Sequence, residues 1–89
     1  MKVLKIGASW CQGCLVMKPR WAEIEQENSW LETEMYDYDD DKEMIEKYDV
    51  SKELPCVIFL DKQENELLRL YGEVEKEKLL AFISEYKNK

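Results

Sequence analysis

The chain has no histidine at all, and only two prolines, three glycines and three cysteines among its 89 residues. Without imidazole, a structural zinc site must be built from thiolates and carboxylates, and no second Cys-x-x-Cys exists to complete a four-thiolate set. So little Gly and Pro leaves no flexible linker for a second domain, and no segment repeats. One domain of this length buries a thin core, yet enough to stand alone. Long apolar runs are also missing. The opening MKVLKIGASWC is broken by Lys5 and is too short for a signal-peptide core or a membrane span, so the chain reads as cytoplasmic, with no membrane association. Positive charge is scarce too. Thirteen Lys and Arg against 20 Asp and Glu give a net charge of −7, which repels phosphate backbones and argues against nucleic acid as a partner.

What is present points to a folded domain carrying thiol chemistry. Hydrophobic residues at 45% and aromatics at 11% exceed what a disordered segment carries. Three cysteines cannot all pair within the chain, whereas small secreted domains use even numbers, so a reducing compartment fits better. Two of the three stand close together in ASWCQGCLVMKP, residues 8 to 19. That spacing serves a metal clamp, a structural staple or a redox pair. A clamp has only Cys11, Cys14 and Cys56 as soft ligands and needs a carboxylate or a partner chain to close. The acidic run YDYDDDKE imitates the start of a calcium loop, but Lys42 stands where the loop needs glycine and Tyr48 where it needs glutamate.

Hydrophobic spacing divides the chain into seven elements. KVLKIGA, residues 2–8, reads as a buried strand. After the cysteines, Met17, Trp21 and Ile24 recur at helical spacing through about Glu27, with Pro19 inside the pattern expected to kink the helix. Residues 31–37 alternate as a half-exposed edge strand, with Leu31, Thr33 and Met35 on one face. Asp40 and Glu43 form a capping-box-like start for a short helix over 41–48. CVIFL, 56–60, is continuously apolar, as a strand covered on both faces is. A loop over 61–65 leads to a return strand, 66–71, which Gly72 ends, and Leu79, Phe82, Ile83 and Tyr86 mark the stripe of a helix over 74–87. The order β-α-β-α-β-β-α gives an α/β domain with a mixed four-stranded sheet and helices on both faces.

This order, with a CxxC at a strand-to-helix junction, resembles the thioredoxin-like family in its short form. The similarity spans nearly the whole chain. It rests on Trp10 before Cys11, on Cys14 three further on, on Pro19 five after that, on the Leu54-Pro55 dipeptide of ELPCVIFL and on Gly72 in RLYGE. The resemblance implies strand order 2-1-3-4 and a cis peptide at Pro55. It further implies a thiol–disulfide oxidoreductase with a redox-active disulfide centre at Cys11 and Cys14, serving electron transport and cell redox homeostasis. Disulfide-bearing proteins would be its substrates, and an upstream reductase of the thioredoxin-reductase kind, or a small thiol, would re-reduce it. No cofactor and no metal are implied.

The residue types suit that chemistry. The attacking species is a thiolate, and Cys11 at a helix N-terminus gains stabilisation from unpaired N–H groups and the helix dipole. Cys11 is therefore expected to be the exposed nucleophile, and Cys14, one turn in, the shielded resolving thiol. In the family's pattern Pro55 faces the pair, the Leu54 backbone meets an extended substrate, and Trp10 walls the groove. Gln12-Gly13 replaces the commoner Gly-Pro between the cysteines, which tunes the couple within a family range of roughly −270 to −120 mV. Two positions depart further. Lys5 stands where thioredoxins carry a buried aspartate. The plainer reading packs its stem and lets the ammonium reach water; the sharper one makes it a base or a thiolate stabiliser. Cys56 stands where threonine is usual, either as an inert buried thiol or as a third sulfur near the pair. A reductase of protein disulfides is the reading adopted. The alternative is a soft-metal-binding or redox-sensing module using Cys11, Cys14 and Cys56, and glutathione use, as in glutaredoxins, stays open.

Overall fold

Five consecutive apolar residues organise the molecule. In the computed structural model, which describes all 89 residues, CVIFL forms a strand in which every side chain is buried. In chain order the elements are β1 (Lys2–Gly7), α1 (Gln12–Glu27), β2 (Glu32–Asp37), α2 (Lys42–Lys47), β3 (Cys56–Leu60), β4 (Glu66–Tyr71) and α3 (Lys76–Tyr86). They form one four-stranded sheet of order β2-β1-β3-β4. β1 and β2 are parallel, while β3 runs antiparallel to both β1 and β4. Sheet order, fold class and all seven elements agree with the expectation from sequence, with element ends within two residues.

Alternation along the central strands sorts side chains onto two faces. Val3, Val57 and Phe59 pack with Met17, Trp21 and Ile24 of α1 and Leu79 and Ile83 of α3. Leu4, Ile6, Cys56, Ile58 and Leu60 form a second cluster with Val50, against which Ile45 of α2 packs. α1 presents Met17, Trp21 and Ile24 inward and runs unbroken through Pro19. Lys76 of α3 reaches both Glu23 and Glu27 of α1 at 3.0 and 3.1 Å, tying the two helices together.

Two expectations need correction. Asp40 and Glu43 do not form a capping box. Asp41 is the residue before α2, and its carboxylate instead accepts the backbone N–H of Asp37 at 2.7 Å. Asp37 in turn accepts from the N–H groups of Asp39 and Asp40, so the carboxylates fold the turn on itself. On β2, Leu31 is buried as its alternation requires, but Met35 is 64% exposed. β2 is an edge strand, and no further strand or helix covers its last residues.

Phe59 is fully buried, with the rings of Phe82 and Tyr86 edge-on to it at 6.3 Å each. Phe59→Ala is expected to cost about 3–5 kcal/mol in urea unfolding, whereas Met35→Ala stays within about 0.5 kcal/mol.

Candidate active site

The end of β1, the start of α1 and the approach to β3 meet at one corner of the sheet. Cys11 is the N-cap of α1, with extended backbone angles of φ −94° and ψ 111°. Its sulfur accepts the N–H of Cys14 at 3.2 Å, which occupies one of the donors a helix start leaves unpaired. The two cysteines are joined as a disulfide with Cα atoms 5.3 Å apart. Cys14 rests directly on β1. A Cβ at Gly7 would stand 3.0 Å from its sulfur, so the strand must end in glycine for the helix to seat there. Gly7 was not singled out from sequence, although a glycine closing a strand just before a CxxC is a readable sign of close approach.

The exposure of the pair departs from expectation. Cys11 is only 6% exposed, while Cys14 is half-buried and lines a cavity of about 540 Å³. The reason is geometric. Cys11 turns its sulfur back over the helix end, and the sheet beneath Cys14 terminates at a residue without a side chain.

Across from the pair, the Leu54–Pro55 peptide is cis. Pro55 packs on Gly13, where a Cβ would approach its ring within 3.0 Å, and its carbonyl accepts the N–H of Gly72 at 2.8 Å. Gly72 has φ +86°, a conformation that favours glycine, and so fixes the end of β4 against Pro55. Leu54 is half-buried against the α2-side cluster, and Gln12 is exposed. Trp10 is 54% exposed, its indole N–H donates to Asp39 at 2.8 Å, and Tyr38 meets its ring edge-on at 6.2 Å. Neither Asp39 nor Tyr38 was legible as a site residue, since only the β1–β2 pairing brings the loop after β2 beside Trp10. Leu15, Val16 and Tyr71 are also exposed, extending the apolar surface around the disulfide.

Lys5 follows neither sequence reading fully. Its ammonium pairs with Glu25 of α1, lies 5.9 Å from the centre of the Trp21 ring, and leaves its side chain only 18% exposed. It lines the same cavity as Cys14, yet its charge is answered by a carboxylate and does not reach out into open water. Cys56 is fully buried in the cluster on the α2 face, whereas Cys14 sits against Gly7 beneath α1. Burial pushes its thiol from the ordinary 9.0 up to about 11, partly opposed by nearby Arg69 and Tyr71. Arg69 of β4 donates to the carbonyls of Tyr48 and Asp49 and so clamps the segment leading to Pro55, a role its sequence position did not announce.

Gly7→Ala places a methyl against a sulfur that a covalent bond holds in place. The oxidised protein is expected to lose about 1–3 kcal/mol in thermal unfolding, and the reduced protein less, because a free thiol can turn aside. Native Cys56 is expected to resist iodoacetamide at pH 8 and to react only on unfolding, read by mass spectrometry. An unfolded thiol ionises near 9.0 and the folded one near 11. The native state thus binds more protons in that window, and its contribution to stability falls as pH rises through it.

The sequence profile of the thioredoxin family matches residues 1–86. No curated protein sequence matches the chain. Among solved structures, a thioredoxin-2 described as a component of the malaria parasite's protein secretion machinery is similar at 27% identity. The match covers 94% of this chain and 81% of that one, with TM-score 0.85. Fasciola hepatica thioredoxin is similar at 27% identity over 96% of this chain and 79% of that one, also at TM-score 0.85. A malarial protein matches at 26% identity, over 96% and 94% of the two chains, with TM-score 0.84. With the profile spanning all but the last three residues, and a disulfide, a cis-proline and a sheet order that agree with it, the chain belongs to the thioredoxin family.

Proposed function

We propose that the protein is a thiol–disulfide oxidoreductase that reduces disulfides in other proteins, cycling Cys11 and Cys14 between dithiol and disulfide. The observation that carries this is the disulfide at the N-terminus of α1, with the Cys11 sulfur held by the N–H of Cys14. That N–H and the helix dipole stabilise a thiolate at Cys11 once the bond is reduced. The Cys11 thiolate attacks one sulfur of the substrate disulfide. A Cys11–substrate bond forms, and the other substrate cysteine leaves as a thiolate that takes a proton. Cys14 then attacks the Cys11 sulfur, releases the second substrate thiol and restores the Cys11–Cys14 bond, so two electrons pass to the substrate. Spacing the thiols by two residues makes this second step intramolecular.

Trp10, Gln12, Gly13, Leu54 and Pro55 form the surface that meets the substrate. Exposed apolar side chains at Trp10, Leu15, Val16 and Tyr71 favour an unfolded or extended protein segment over a small polar disulfide. An upstream reductase or a small thiol returns the electrons, and a reducing compartment such as the cytoplasm suits that direction. The three-thiol metal reading finds no support in the geometry. Cys56 lies on the α2 face, and no three His, Cys, Asp or Glu side chains are gathered as a cation site.

With dithiothreitol as electron source, insulin reduction is expected from the wild type. Cys11→Ser abolishes it, and Cys14→Ser lowers it by about a hundredfold or more, since the mixed disulfide then has no neighbouring thiol to resolve it. Full turnover by Cys14→Ser, or loss of turnover on Cys56→Ala in a protein that still folds, contradicts the assignment.

A further inference from the structure

The cavity beside Cys14 lies on the α1 side of the sheet, between the first turns of that helix and the open end of β2, and the substrate-reducing cycle does not use it. Its volume of about 540 Å³ is within the range of small-molecule sites. Cys14 contributes to its wall and Cys11 does not. Two polar groups make it more than an apolar hollow. Trp21, which lines it, is 4% exposed, and its indole N–H is buried without any hydrogen-bond partner. A buried donor left unpaired costs about 1–3 kcal/mol, and an acceptor on a bound molecule recovers it. Lys18 also lines the cavity, four positions after Cys14 on α1 and so on the same helix face. Its ammonium makes no ion pair, whereas Lys5 in the same wall is paired with Glu25.

We propose that this cavity is a site for a small carboxylate-bearing thiol, which opens the disulfide at Cys14 and expels Cys11. The carboxylate accepts from the Trp21 indole and pairs with Lys18, which places the thiol sulfur toward Cys14. The thiolate attacks the Cys14 sulfur. A Cys14–thiol bond forms and the Cys11–Cys14 bond breaks, with the electron pair leaving on Cys11. The Cys11 sulfur already accepts the N–H of Cys14, so it departs as a hydrogen-bonded thiolate at the helix start. A second molecule of the thiol then attacks the first molecule's sulfur and frees Cys14. The products are the dithiol protein and one molecule of the small disulfide. The two chemistries then enter from different sides: protein disulfides are reduced at Cys11, and electrons arrive at Cys14. This rests on the redox cycle proposed above, and the two fail separately.

The test uses the oxidised wild-type protein with 3-mercaptopropionate, and with neutral 2-mercaptoethanol as control. Each thiol's rate is normalised to its rate on a linear reference disulfide. A rapid iodoacetamide pulse followed by acid quench traps the first adduct, and fragmentation of the Ile6–Lys18 peptide assigns it. The proposal expects the thiol adduct on Cys14 and the alkyl group on Cys11. It also expects Lys18→Gln to lower the normalised advantage of the carboxylate thiol severalfold while leaving the neutral thiol unchanged, and Trp21→Phe to do the same. An adduct on Cys11 overturns the direction of attack. A carboxylate-to-neutral rate ratio unmoved in Lys18→Gln, an exposed position that cannot unfold the core, overturns the site. Insulin turnover through Cys11 persists under either negative result, so the parent reading is judged independently.

Discussion

The contact between Cys14 and Gly7 is the constraint on which the site depends. A helix can begin this close to the end of a parallel strand only if the strand's last residue has no side chain. Any Cβ at Gly7 lies 3.0 Å from the Cys14 sulfur. With that room secured, the first turn of α1 places the Cys11 sulfur over the helix start, where it takes the N–H of Cys14. The pair then faces the Pro55 turn, which Gly13 and Gly72 approach closely from two sides. All three glycines of the chain are thus spent within one corner of the fold.

That corner is rigid because of what lies behind it. β3 is buried along its whole length, and its alternating side chains supply the centres of both cores. Val57 and Phe59 fix the position of α1 and α3, and Cys56 and Ile58 that of the α2 side. Removing a strand of this kind from water contributes more than any of the surface ion pairs, which are individually worth roughly 0–1 kcal/mol. The acidic surface, with a net charge of −7, sets solubility and disfavours anionic partners at large. The exposed surface around the disulfide is apolar by contrast, and Lys18 is a local exception to the overall charge.

Features legible in the sequence were those encoded within a few residues. The period of Met17, Trp21 and Ile24, the unbroken CVIFL and the Leu54-Pro55 step each specify a local shape, and the structure contains all three. Features that stayed hidden depend on segments far apart in the chain. Asp39 orients Trp10 from 29 residues away, and Arg69 holds the carbonyls of Tyr48 and Asp49 across 21 and 20 residues. The charged residue at Lys5 was visible, but its partner was not, because Glu25 meets it only after α1 folds back over the sheet. The same holds for the shielding of the two thiols. Sequence position places Cys11 first at the helix mouth, yet whether it or Cys14 faces open space depends on how β2 ends.

The central claim is that Cys11 and Cys14 form a reversible couple poised to give electrons away. Equilibrating the protein in thiol–disulfide buffers and following Trp10, which adjoins Cys11 and is held by Asp39, measures that directly. The account predicts a single two-electron transition toward the reducing end of the family range, roughly −270 to −200 mV, and none in Cys14→Ser. A midpoint near the oxidising end of about −120 mV, or no reversible transition, would contradict it.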